Sequence, residues 1–142
     1  MFLQIKNTTI GYQKPLISEV NASLDFGDVC LLIGNNGVGK TTLIKSILHQ
    51  ISTLNGEILI HQKNIEKLTD KEIAEQIAVV FSKAQIPANY TTEDLISLGK
   101  FIHLPYYYQL EKEDLEDVNN IISQLKLEEY RTTSLQKLSD GN

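Results

Sequence analysis

Apolar and polar residues alternate over residues 1–6, the pattern of a strand with one buried face. Residues 11–15, from Gly11 to Pro15, read as a turn, and residues 20–26 as a second strand, so the chain is expected to open with antiparallel sheet. Gly27-Asp28 interrupts that pattern. The run Val-Cys-Leu-Leu-Ile at residues 29–33 is unbroken and apolar, as in strands covered on both faces, which usually belong to parallel sheets. After a glycine-rich stretch, Leu43, Ile44, Ile47, Leu48 and Ile51 recur at helical spacing, predicting a helix over about residues 39–49 with one face on the sheet. Residues 56–61 and 77–81 read as further strands. Between them a Thr-x-x-Glu capping pattern, Thr69 to Glu72, opens a short helix at residues 69–76.

From Thr91 onward the apolar positions keep helical spacing: Leu95 and Leu98, then Leu115, Val118, Ile121, Ile122 and Leu125. This predicts a mostly helical second half. Between its helices, Pro105 stands beside Tyr106, Tyr107 and Tyr108, which suit either a partner-facing surface or a loop anchored by aromatics. No repeat, low-complexity tract or flexible linker divides the chain, so the halves are expected to share one core.

Composition narrows the picture. A chain of 142 residues, 42% hydrophobic and 22% charged, can build one ordinary core. Its longest apolar stretch is far short of the roughly 20 residues that cross a bilayer, and no basic-then-apolar leader precedes it; a soluble, cytosolic protein is expected. The single cysteine, Cys30, lies in that stretch and is expected to be a small buried hydrophobe. A net charge of −5 without a long basic block argues against a nucleic-acid surface, so any anion site must be built locally.

Such a site is present. Gly34-Asn35-Asn36-Gly37-Val38-Gly39-Lys40-Thr41 fits the P-loop pattern, a glycine, four residues, then Gly-Lys-Thr, between an expected strand and an expected helix. Chance would produce that spacing in only about one chain in a few hundred. The glycines let successive amides turn inward at a helix N-terminus, whose dipole carries about half a positive charge. Lys40 is a mobile charge suited to β- and γ-phosphates. The Thr41 hydroxyl suits Mg²⁺, and Thr42 can donate to a further phosphate oxygen. The three histidines, His49, His61 and His103, stand in no catalytic context and read as solvated or helix-end residues.

With the P-loop in place, the whole chain resembles the ATP-binding subunit of an ABC transporter. The resemblance implies an α/β fold: an incomplete P-loop NTPase core with an N-terminal antiparallel β-subdomain over residues 1–81, followed by a mainly helical subdomain over residues 82–142. Tyr12 matches the aromatic that stacks on adenine in this family, where a π-face binds without strict base selection. Leu138-Ser139-Asp140-Gly141-Asn142 resembles the family signature Leu-Ser-Gly-Gly-Gln. There Ser139 and Gly141 would hold the γ-phosphate of ATP bound on a second ATP-binding subunit in a head-to-tail dimer. Asp140 departs from the usual glycine, and a carboxylate beside a triphosphate costs energy unless it points away.

Residues 91–103, Thr-Thr-Glu-Asp-Leu-Ile-Ser-Leu-Gly-Lys-Phe-Ile-His, are similar to a stretch found in importers of iron-siderophore, haem or cobalamin. Lys100 and Ile102 stand where those importers carry arginine and proline. The family also places a glutamine after the strand at residues 77–81; Ser82 occupies that position and Gln85 lies three residues on, so which of them substitutes stays open. The resemblance implies ATP and Mg²⁺ as ligands, transmembrane permease subunits as partners, and a place on the cytoplasmic face of the plasma membrane. The acidic strand, catalytic glutamate and switch histidine of the family fall beyond Asn142, so no catalytic residue is identified in this chain. Slow hydrolysis and an unstable isolated chain are the matching expectations. A non-catalytic nucleotide-binding module is the alternative reading.

Overall fold

A computed structural model describes residues 1–80, 89–101 and 109–138. Its contacts group the chain into two compact units, Met1–Ala78 and Val79–Asn142. The absence of a linker in the sequence does not announce this division.

In the first unit, β1 (Leu3–Gly11), β2 (Pro15–Leu24), β3 (Asn55–Ile60) and β4 (Lys63–Asn64) form one sheet in the order β2-β1-β3-β4, every pair antiparallel. The expected alternation holds on β1, with a change of phase. Leu3 and Ile5 are buried, and then Thr8 and Ile10. Between them Ile5 and Thr8 face Ala22 and Val20 of β2, so β1 carries one residue more than its partner. That extra residue is a β-bulge, which moves the next inward positions from odd to even numbers. Asn7, at φ 44°, takes the left-handed turn of the bulge. Its amide and side chain exchange two 2.9 Å hydrogen bonds with the side chain of Asn21 on β2. The Thr8 hydroxyl, fully buried, donates to the carbonyls of Lys6 and Glu57, so no donor is stranded.

The helix α1 (Lys40–Ile47) lays Leu43 against this sheet, joining Leu3, Ile5, Ile10, Ile58, Ile60 and Ile65 in one core. The short helix α2 (Asp70–Ala74) begins as its sequence predicts. Thr69 accepts from the amide of Glu72, and the Glu72 carboxylate accepts from the amide of Thr69.

Two expected strands are corrected. Residues 29–33 lie outside the sheet, with Val29, Leu31 and Ile33 at 98%, 79% and 79% exposure. Cys30 is exposed with them, not buried. The apolar pattern records that these residues suit a covered strand; among the described residues no neighbouring strand supplies backbone partners, so neither pairing nor cover follows. Residues 77–80 are likewise unpaired; Ile77 packs on the core while Val80 is 98% exposed. Phe81, Ser82, Gln85, Ile102, His103 and the Pro105–tyrosine stretch lie outside the described residues.

In the second unit, α3 (Thr92–Leu98) packs on α4 (Lys112–Gln124), and Val118 and Ile122 of α4 are buried. The first backbone amides of α3 are satisfied, although the buried Thr92 hydroxyl has no partner among the described residues. Thr91 and Asp94 form a capping box, and the amides of Thr92 and Glu93 donate to the carbonyls of Thr133 and Arg131. The Arg131 guanidinium grips the Glu93 carboxylate through two nitrogens. That hydrogen bond holds the Glu93 carboxyl below its usual range, and the Thr91 amide does the same for Asp94. Both folded values are depressed, so the stability they contribute is present above the unfolded carboxylate range, roughly pH 4, and is lost as pH falls through the folded values. Glu93→Gln is therefore expected to lower the melting temperature at neutral pH, by an amount that shrinks on acidification. A gap that stays constant down to low pH would contradict this account.

Candidate functional site

The loop between residue 33 and α1 is where the sequence places its chemistry. Among the described residues, three of the four α-helices start at a Thr or Glu that takes part in a capping box. Helix α1 does not: its N-cap is Gly39, which has no side chain to accept from the first turn, and the turn contains no acidic residue. The first amides of any helix lack intrahelical partners. Here they are left for an outside acceptor, at the positive end of the helix dipole.

Gly39 could be no other residue without rearrangement. Its φ is 107°, and a Cβ there would meet the Ile17 side chain at 2.7 Å and the Leu16 side chain at 3.0 Å. The loop thus rests directly on β2. Lys40 turns its amine back into the loop, donating to the carbonyls of Gly34 at 2.6 Å and Asn35 at 2.8 Å. Among the described residues the ammonium is solvated by these carbonyl dipoles, and an anion entering the loop would offer it a full charge.

Asn36, Gly37, Gly39, Lys40, Thr41 and Thr42 line one cavity of ≈ 210 Å³, together with Leu16 from β2. Of the remaining predicted site residues, Gly34 and Asn35 hold the Lys40 amine, and Val38 is half-exposed on the loop. Tyr12, at the turn after β1, is 64% exposed and is not among the residues lining the cavity. Ser139, Asp140 and Gly141 lie outside the described residues. Leu16 is the residue the motif did not reveal, because it is brought to the loop by sheet pairing from far away in sequence.

The residues present fit a phosphate chain: the uncapped start of α1, a lysine and two threonines line one cavity. Among the described residues no cluster of His, Cys, Asp and Glu could hold a metal by itself. Thr41 could still contribute to a Mg²⁺ ion held mainly by phosphates, the usual manner for that ion. Such an ion would supply charge neutralisation on the phosphate oxygens. A larger cavity, ≈ 520 Å³, lies in the helical unit beside Tyr90, Glu93, Asp94 and Leu98. Its lining residues come from α3 and the segments flanking it and include none of the glycine loop, so size does not mark the phosphate site here.

A mixed α/β chain whose glycine loop rests on β2 and feeds an uncapped helix has the features of a P-loop fold, and solved structures share it. One, a nucleotide-free ATP-binding cassette from an ABC transporter, superposes with a TM-score of 0.76 at 27% identity, covering 97% of this chain and 59% of that one. The profile of the family described as ABC transporter matches residues 17–142, and the chain belongs to that family. It is similar to the petrobactin import ATP-binding protein YclP of Bacillus subtilis (strain 168), 31% identical over 141 residues, and to the iron(3+)-hydroxamate import ATP-binding protein FhuC of the same organism, 28% identical over 140. Each alignment covers 98% of this chain, and 55% and 52% of the respective relative. The chain therefore spans about half the length of the curated relatives it matches. Among the described residues, no helix is long and apolar enough to cross a membrane.

Proposed function

We propose that this chain binds Mg-ATP in the loop of residues 34–42 and belongs to the ATP-binding subunit of an importer for an iron-siderophore or similar metal chelate. The observation that carries the nucleotide reading is the uncapped start of α1 with the Lys40 amine folded into the same loop. Lys40 would pair with the β- and γ-phosphates, the first-turn amides would cradle them, Thr41 would approach the metal and Thr42 a further phosphate oxygen. Tyr12 would offer its ring to adenine. Ser139 and Gly141 would serve the nucleotide of a second ATP-binding subunit in a head-to-tail dimer. Binding energy from both nucleotides would then close the dimer against permease subunits at the cytoplasmic face of the membrane.

Two features support the cargo class: the Thr-Thr-Glu-Asp-Leu-Ile-Ser-Leu-Gly sequence forming the capped start and body of α3, and relatives whose names refer to petrobactin and iron-hydroxamate import. Disrupting the gene and measuring uptake of radiolabelled iron presented as siderophore chelates tests the cargo. Uptake of at least one chelate should fall to background and return on complementation. Unchanged uptake of all chelates offered would refute the cargo assignment and leave the nucleotide site to be judged separately.

A further inference from the structure

Another cavity of the first unit, ≈ 260 Å³, lies between the β3–β4 hairpin and α2, and shares no residue with the one at the head of α1. The hairpin supplies Ile60, His61 and Lys63, and α2 with its flanks supplies Leu68, Glu72, Glu75 and Gln76. Ile60 is buried and, with Leu68, gives the cavity an apolar part. The His61 ring is braced by Phe2 and Phe26, at 5.3 and 5.5 Å between centroids. The charges of the lining do not meet. Glu72 is pinned through Oε2 by the Thr69 amide at 2.8 Å and the Thr69 hydroxyl at 2.9 Å, so it cannot swing away without breaking the cap of α2. Among the described residues the Lys63 ammonium makes no ion pair. Its charge still reaches Glu72: the hydrogen bonds from Thr69, and after them the charge of Lys63, hold the Glu72 carboxyl below its usual range. Glu75 meets Lys71 only at 4.0 Å.

We propose that this cavity binds a free α-amino acid with an apolar side chain: its carboxylate on Lys63, its ammonium on Glu72 and Glu75, its side chain against Ile60 and Leu68. A ligand of one sign would pair with one side of the lining and be opposed by the other. A ligand carrying both charges completes both sides at once, through charge-assisted hydrogen bonds. Gln76 adds a carboxamide, which can donate to the carboxylate or accept from the ammonium. A bare metal ion is opposed by the Lys63 charge, and among the described residues no cluster of His, Cys, Asp and Glu could hold one. The volume is below the roughly 300–1,000 Å³ of sites for drug-sized ligands, which suits a metabolite of amino-acid size. The proposal is independent of the nucleotide reading.

The test is amide NMR of the protein titrated with L-leucine, with N-acetyl-L-leucine, which lacks the ammonium, and with L-leucinamide, which lacks the carboxylate. L-Leucine should give saturable shifts on the amides of residues 60–63 and 72–76. Each analogue should bind about tenfold more weakly, because it leaves one side of the lining unpaired. Lys63→Met and Glu75→Gln should each weaken L-leucine binding, Lys63→Met by about tenfold, with melting temperatures near that of wild type. Neither substitution touches the Thr69–Glu72 cap. The analogue comparison uses wild type alone, so it decides the matter whatever the variants do to folding. Absence of saturable shifts with L-leucine would overturn the proposal. So would equal affinity for all three compounds, which would mark an unselective apolar crevice, or full L-leucine affinity in Lys63→Met.

Discussion

Lys40→Ala should weaken Mg-ATP binding by roughly a hundredfold, about 3 kcal/mol, while leaving the melting temperature nearly unchanged. The two effects separate because of where the amine sits. In the free loop it bonds the carbonyls of Gly34 and Asn35, both exposed, and water can replace it there at little cost. Against a triphosphate it is the site's one mobile full charge, and hydrogen bonds between charged groups are roughly twice as strong as neutral ones. Titration calorimetry with a parallel thermal melt checks both halves. Retained ATP affinity would remove Lys40 from the site; lost affinity with a collapsed melt would make it a structural residue.

Gly56→Ala should destabilise the first unit by about 3–5 kcal/mol. Gly56 lies on β3 opposite the β1 bulge with φ 78°, where a side chain costs about 1–2 kcal/mol. Its Cβ would also fall 2.4 Å from the carbonyl oxygen of Asn7 and 2.5 Å from that of Lys6. Both are backbone atoms. Moving them means undoing the bulge, and with it the phase change that buries Thr8 and Ile10. Denaturant unfolding would reveal the loss. A change below about 1 kcal/mol would mean the bulge is soft and does not set the register.

What could be read in advance was local. The Thr69–Glu72 and Thr91–Asp94 caps and the glycine loop before α1 each depend on residues within a few positions of one another, so spacing alone identifies them. The family and the α/β class followed from the loop and its surroundings, and the comparisons bear both out. Features that depend on distant parts of the chain were not legible. The bulge at Asn7 shows only when β1 is matched against β2 and β3, and alternation over residues 1–6 gives no hint of it. The short β4 was not expected, because the turn before it places His61 and Gln62 at φ 47° and 64°, conformations usually signalled by glycine or asparagine. Residues 29–33 illustrate the opposite error: an apolar run records a tendency to be covered, not which segment covers it. Leu16 is the same limit at the site itself, since its place beside Thr41 and Thr42 is set by sheet pairing and the packing of Gly39.

The central claim is that the loop of residues 34–42 is a Mg-nucleotide site, and amide NMR during a Mg-ATP titration tests it most directly. The account predicts saturable shifts concentrated on the amides of Gly39, Lys40, Thr41 and Thr42, left uncapped at the start of α1, and on that of Gly37 in the loop before it. Tripolyphosphate should reproduce them, and Lys40→Ala should abolish them at the same nucleotide concentration. Shifts that never saturate, or that gather in the helical unit and spare these amides, would contradict it.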